Sequence, residues 1–323
     1  MHDALEFLRQ CAQSGTLLRS LCALVILPAT AWLACRFVAP HIVRMKDDPA
    51  WQAPLAAVAA GIPGALFVVL AASALVSGLS AACLAVPAGR VMFGLIIAAM
   101  TAALVRAAWL AVGRSISVRR LIAAAAAPSC RLQSIAASCG LQAREIPDAA
   151  RVCALAGFIS PVVLVSSGAL AAVSDDELRA ALQHERAHAR RGDLLLAACL
   201  SFLVDLLPLP AGDLVETYRT AREFAADHDA VETTDADSLA GALIQFAKGG
   251  PDPVAAMSFA GGSRAVVAER LHLLLSDSAP ARQRPLRRIV IAAALAVIAI
   301  AGVAAPAFAG QHPTCTLSMQ VHR

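Results

Sequence analysis

"SDDELRAALQHERAHARRGD" occupies residues 174–193, and its reading decides the fold. Ser174 followed three residues later by Glu177 is a capping box, and the acids Asp175, Asp176 and Glu177 suit the positive end of a helix dipole. A helix therefore opens here. Positions four apart share one helical face, so His184 and His188 can offer two imidazoles to one metal ion. Glu185 follows the first histidine and can hold a water in the same cleft as a general base, the logic of the H-E-x-x-H pattern. The competing reading is a solvated, charged helix face that merely spells the pattern. The rest of the chain has to decide.

A catalytic zinc needs a third protein ligand and an open position. "REFAADHD", residues 222–229, offers one on a helix expected over about 213–231. Glu223 can complete the ligand set. Asp227, one turn further on, can accept a hydrogen bond from the non-ligating nitrogen of a ligand histidine, most naturally His184. The alternative for Glu223 is a surface acid paired with Arg222 or Arg219. Arg190 and Asp193 stand just after the motif, where a helix-terminal ion pair is an equally good reading. Tyr218 and His228 are candidate donors to an oxyanion. His272 in "ERLHLLL" reads as a structural residue.

Composition places this helix in an apolar chain. The 323 residues are 59% hydrophobic and only 15% charged, against roughly a quarter charged in soluble domains. Net charge is +4 with 4% aromatics, which speaks against a nucleic-acid arm or base-stacking platform, and no direct nucleic-acid binding is expected. Nine scattered cysteines form no C-x-x-C pair and no thiolate zinc site. They read as buried thiols, with a Cys130–Cys139 bridge as the minor alternative.

Four apolar stretches matter: Ser20 to Cys35, Ala53 to Gly89, Val91 to Gly113 broken only by Arg106, and Ile289 to Gly310. A bilayer core needs roughly 20 apolar helical residues, so these predict four spans. Pro63 marks either an interfacial piece before the second span or a re-entrant hairpin. Arg106 faces a partner or a water-filled gap, or else snorkels. The basic flanks alternate: Arg36, Arg44 and Lys46, then Arg90 alone, then Arg114, Arg119 and Arg120, then Arg282, Arg284, Arg287 and Arg288. By the positive-inside rule the segment between the third and fourth spans is cytoplasmic. "AAPAFAG", residues 304–310, also resembles a signal-cleavage end, so cleavage after Ala309 is a second reading of the fourth stretch.

The expected organisation is 1–113 as a membrane region with three spans, 114–286 as the metallopeptidase domain, 287–310 as the fourth span and 311–323 as a short extracytoplasmic tail. The fold class is α+β and mostly helical, with a small antiparallel sheet. Its strands are expected around Ala150–Leu155 and Val162–Val165, bounded by Pro147, Gly157, Pro161 and Gly168. Helices are expected over 117–138, 194–207, 236–248 and 263–276, the second of them buried or grazing the membrane.

"HERAH" followed by "ExxxD" resembles the gluzincin metallopeptidases. With "GFISPVVLVSSGAL" before it and "AREFAADHDAV" after it, the segment resembles most closely the membrane metallopeptidases of the BlaR/MecR beta-lactam signal transducers. The resemblance implies a zinc endopeptidase of the bacterial inner membrane with a cytoplasmic catalytic domain. It implies zinc held by His184, His188 and Glu223, Glu185 as general base and Asp227 behind a ligand. Its substrate would be a cytosolic or membrane-adjacent protein, often a transcriptional repressor, and Val162–Ser166 would be a strand near the cleft. Those transducers carry a penicillin-binding sensor domain after their fourth span. Here "QHPTCTLSMQVHR" follows, without an S-x-x-K acylation motif, so the signal is expected to come through the spans, the loops, a homo-oligomer or a partner sensor protein. Two alternatives remain open: an HtpX-like membrane quality-control protease, and a non-proteolytic signalling scaffold with a structural zinc.

Overall fold

The computed structural model describes residues 25–44, 49–78, 87–158, 160–248 and 264–276. Three helices come first: α1 (Leu27–Val43), α2 (Pro49–Gly78) and α3 (Pro87–Ala124). Then follow α4 (Cys130–Ser138), β1 (Ala143–Ile146), β2 (Cys153–Ala156), β3 (Val162–Ser166) and α5 (Ser167–Ala172). The remaining elements are α6 (Asp175–Arg191), α7 (Asp193–Leu206), α8 (Gly212–Val231), α9 (Ala236–Ala247) and α10 (Arg264–Leu275).

Two described helices contain stretches long and apolar enough to cross a membrane, Trp51–Ala72 in α2 and Ile97–Ala124 in α3. They sit differently. The α2 window is 44% buried, wrapped by protein, whereas only 6% of the α3 window is buried. α1 is apolar but shorter, and it overlaps the first expected stretch, Ser20–Cys35, from Leu27 to Cys35. The fourth expected span lies outside the described residues, as does the tail.

The sheet corrects two expectations. It is mixed rather than antiparallel: its order is β1-β3-β2, with β1 parallel to β3 and β2 antiparallel to it. β1, "AREI", has one exposed and three half-buried residues, so its sequence carries little strand signal. The helix expected over 117–138 is also broken. α3 ends at Ala124 and Ala126 pairs with Glu145 as a β-bridge. Pro128 explains the break, because it disfavours helical backbone at the residue before it and supplies no N–H.

The capping box forms as the sequence suggests. Ser174 N–H donates to Glu177 Oε2 at 2.7 Å, and the Ser174 hydroxyl accepts from Glu177 N–H at 3.3 Å. α6 ends at Gly192, whose φ of 67° is left-handed. Glycine takes that conformation at little cost, and α7 starts at the next residue, so the chain turns a corner with no loop.

Two apolar cores flank α6. One joins α4, the sheet, α6, α9 and α10 through Leu132, Val163, Val165, Leu178, Leu182, Leu239 and Leu243. The other joins α1, α2, α7 and α8 through Ala56, Ala60, Leu200, Leu207, Leu214 and Tyr218. The α7–α8 hairpin thus packs on the membrane-type helices, while α6 backs onto the sheet.

Candidate active site

α6 and α8 bring the H-E-x-x-H and E-x-x-x-D patterns together. His184 is fully buried, and Glu185, His188, Glu223 and Asp227 are nearly so. The histidines meet edge to face, with Nε2 of His184 3.1 Å from Nε2 of His188. Glu223 Oε2 lies 3.3 Å from His184 Nε2, and Glu223 Oε1 lies 3.5 Å from His188 Nε2. One donor atom from each of the three residues can be chosen so that all lie within 4.8 Å of one another.

The far sides of both imidazoles are anchored on carboxylates. His184 Nδ1 is 2.9 Å from Asp227 Oδ1. His188 Nδ1 is 2.7 Å from Asp193 Oδ2. A proton on each Nδ1 makes those contacts hydrogen bonds and leaves the Nε2 lone pairs converging on one point. One Glu223 oxygen lies beside each Nε2, at 3.3 and 3.5 Å, and the two Nε2 atoms are 3.1 Å apart, so the three side chains converge on a space the size of one metal ion. Two imidazoles and a carboxylate also match the donor chemistry of a catalytic zinc.

Asp193 settles the reading left open in the sequence. It is buried, it accepts from His188, and the Tyr218 hydroxyl donates to its other oxygen at 3.3 Å. Arg190, its alternative partner, is exposed. Tyr218 therefore spends its hydroxyl on a brace behind His188. His228 is half-buried and His272 is exposed. Glu223 does contact Arg222, Nε to Oε1 at 3.3 Å, yet it is buried; Arg219 pairs with Glu216 instead.

Sequence reasoning missed Arg270. Its side chain is fully buried and grips Asp227 with two hydrogen bonds, Nε to Oδ2 at 2.7 Å and Nη2 to Oδ1 at 2.8 Å. Nη1 stands 3.3 Å from Glu223 Oε2. The available signal was an arginine followed by the largely apolar run "LHLLL" in α10. Such a residue is expensive to bury without a carboxylate.

The electrostatics follow from this packing. Burial raises the Glu185 carboxyl above its ordinary value, against the pull of His188 and His184. Glu185 Oε2 accepts from the backbone N–H of Leu155 on β2 at 2.9 Å, which fixes the carboxylate against the sheet. Burial alone would lower His188, but the Glu223 charge and the Asp193 hydrogen bond overcome it and hold His188 at about 9. Burial opposes ionisation of Glu223 as well, yet His188, His184 and Arg270 keep it well below the usual carboxylate range. Asp227 is likewise lowered despite burial, chiefly by Arg270.

His184, His188 and Glu223 form a buried group that could hold a metal ion, and Glu185 stands beside them with a raised pKa, an arrangement compatible with a metal-dependent hydrolase. Residues 123–212 match the model of Peptidase family M48, which supports a metallopeptidase assignment for that segment. The matched segment contains His184, Glu185, His188 and Asp193, and ends before Glu223 and Asp227. No curated protein matches the chain.

Proposed function

We propose that this chain is an integral-membrane zinc metalloendopeptidase that hydrolyses peptide bonds of a cytosolic or membrane-adjacent protein. The convergence of His184 Nε2, His188 Nε2 and the Glu223 carboxylate beside Glu185 carries the reading. These three residues would hold the zinc, with Asp227 and Asp193 fixing the two imidazoles. When bound, the metal supplies a Lewis acid that polarises the scissile carbonyl and acidifies water. Glu185 accepts the proton of the attacking water and returns it to the leaving nitrogen. Burial raises its pKa, which makes the carboxylate a stronger proton acceptor. The edge strand β2 keeps the Glu185 carboxylate aimed through Leu155 N–H.

Resemblance to the BlaR/MecR-type transducers favours a transcriptional repressor as substrate and a cytoplasmic catalytic side. The HtpX-like reading shares the same motifs and differs in scope, many misfolded proteins against one repressor. The decisive experiment is zinc content with proteolysis of casein and of any repressor encoded next door, for wild type, Glu185→Gln and Glu223→Ala. Wild type should hold one zinc and cut, Glu185→Gln should hold zinc without cutting, and Glu223→Ala should lose metal. Wild type without zinc sinks the enzyme reading. A cellular phenotype that survives Glu185→Gln favours a scaffold with a structural zinc.

A further inference from the structure

The turn between α7 and α8, residues 207–211, sits at a ring of charges that the metal centre does not use. Arg36 on α1 pairs with Asp213 at 2.8 Å. Arg114 on α3 donates to Asp205 Oδ2 at 2.7 Å. Arg106 on α3 donates to the Leu207 carbonyl at 3.2 Å and to the Asp205 carbonyl, so it caps the C-terminal end of α7. α2 touches the same level, since a Cβ on Gly64 would stand 2.7 Å from the Leu203 carbonyl oxygen.

The molecule differs on the two sides of this ring. On one side α8 climbs from Asp213 to Glu223, about 15 Å at roughly 1.5 Å per residue. On the other side α3 bares its most exposed apolar side chains, Val91 and Leu95 at 65% each, Val105 at 61% and Trp109 at 78%; on the metal-centre side Val112 and Leu195 reach 54% each. Val91 to Trp109 measures about 28 Å as a helix, close to the thickness of a hydrocarbon core. The sequence is also uncharged from Ser20 up to Arg36 and from Gly64 to Gly89.

We propose that a lipid bilayer with anionic headgroups docks at this ring. Pro208 and Pro210 then lie at headgroup depth, with the metal centre about 15 Å outside the hydrocarbon. Arg36, Arg114, Arg119 and Arg120 are exposed there and complement anionic headgroups. Trp109 falls at the boundary, where tryptophan is favoured. Immersing the turn more deeply would put the half-exposed Arg36–Asp213 pair into hydrocarbon at high cost. The substrate class follows, and this step rests on the peptidase reading. An extended chain advances about 3.3 Å per residue, so a membrane-anchored substrate reaches the site about five residues beyond its span.

Two measurements on the full chain in phosphatidylglycerol/phosphatidylcholine vesicles separate the docking from the chemistry. The first places a fluorescent amino acid at exposed Pro208 or exposed Glu232 and quenches it with nitroxide lipids labelled at the headgroup or mid-chain. Pro208 should be quenched severalfold more by headgroup than by mid-chain nitroxide, and Glu232 by neither. Stronger mid-chain quenching at Pro208, or none, overturns the docking. The second uses single-span substrates with lengthening juxtamembrane linkers. Cleavage should begin near five residues; cleavage at every length overturns the ruler. Headgroup-depth quenching with no cleavage at any length supports the docking and removes the peptidase reading instead.

Discussion

The two histidines of the candidate metal site are braced in opposite ways. His184 leans on Asp227, which Arg270 grips from α10, forty-three positions along the chain. His188 leans on Asp193, five residues away around the Gly192 corner, with Tyr218 behind it. The first brace is ionic and buried, and it joins three helices. The second is a local carboxylate supported by a neutral hydroxyl. Removing part of the first exposes a buried charge to an apolar interior. Removing the Tyr218 hydroxyl from the second leaves a neutral gap.

This contrast sets the order of expected effects. Asp227→Ala should do the most damage, because Arg270 then keeps a buried charge with Glu223 as its remaining acid in the ion-pair network. Breaking a buried pair from one side costs about 3–5 kcal/mol. Denaturant unfolding of the metal-free protein should show that loss, and an unchanged midpoint would mean that the ionic brace contributes nothing to the fold. Asp193→Asn should leave the fold standing, since the amide keeps an oxygen toward His188. It should lower zinc affinity by about 10–100-fold, as losses of such outer contacts do. Competition with a chromogenic chelator reads this directly. Equal unfolding losses in the two variants would erase the contrast.

The same contrast explains what could be read without coordinates. The His188 side is local: a capping box, an i, i+4 pair and an aspartate just beyond lie within one stretch of twenty residues. The helices expected over 213–231 and 236–248 do form, and Asp235 caps the second by accepting from Ser238 N–H at 2.7 Å. The His184 side depends on α10, whose contact with Asp227 is fixed by tertiary packing alone. Nothing in "AERLHLLL" announces which acid Arg270 will meet. β1 escaped for a related reason. "AREI" becomes a strand because β3 pairs with it in parallel, and its own residues favour no particular state. The four-span expectation rested on composition, and two of the four stretches appear as long apolar helices among the described residues.

Protons offer a subtler test of the His188 side. His188 is held at about 9 in the metal-free site, so at pH 7 it carries a proton that zinc must displace. Affinity should therefore rise as pH rises toward about 9, by up to tenfold per unit, and flatten above it. In metal-free protein the sign is reversed: the raised value contributes stability below the ordinary histidine range, and that contribution is lost as pH rises through about 9. Zinc titration in weakly buffered solution at pH 7 should release about one proton from this group. Release of none would mean that Glu223 and Asp193 do not hold His188 charged.

Tyr218→Phe should have the smallest effect. The ring stays in the α1–α2–α7–α8 core, and only the 3.3 Å hydrogen bond to Asp193 is lost. A neutral bond of that kind contributes about 0.5–1.5 kcal/mol. Zinc affinity should fall a few-fold at most, because Asp193 still accepts from His188 at 2.7 Å. Proteolysis per bound zinc should be unchanged if Tyr218 acts only through Asp193. A loss of kcat with zinc fully bound would instead place the hydroxyl among the groups that meet the substrate, and would move Tyr218 from brace to donor.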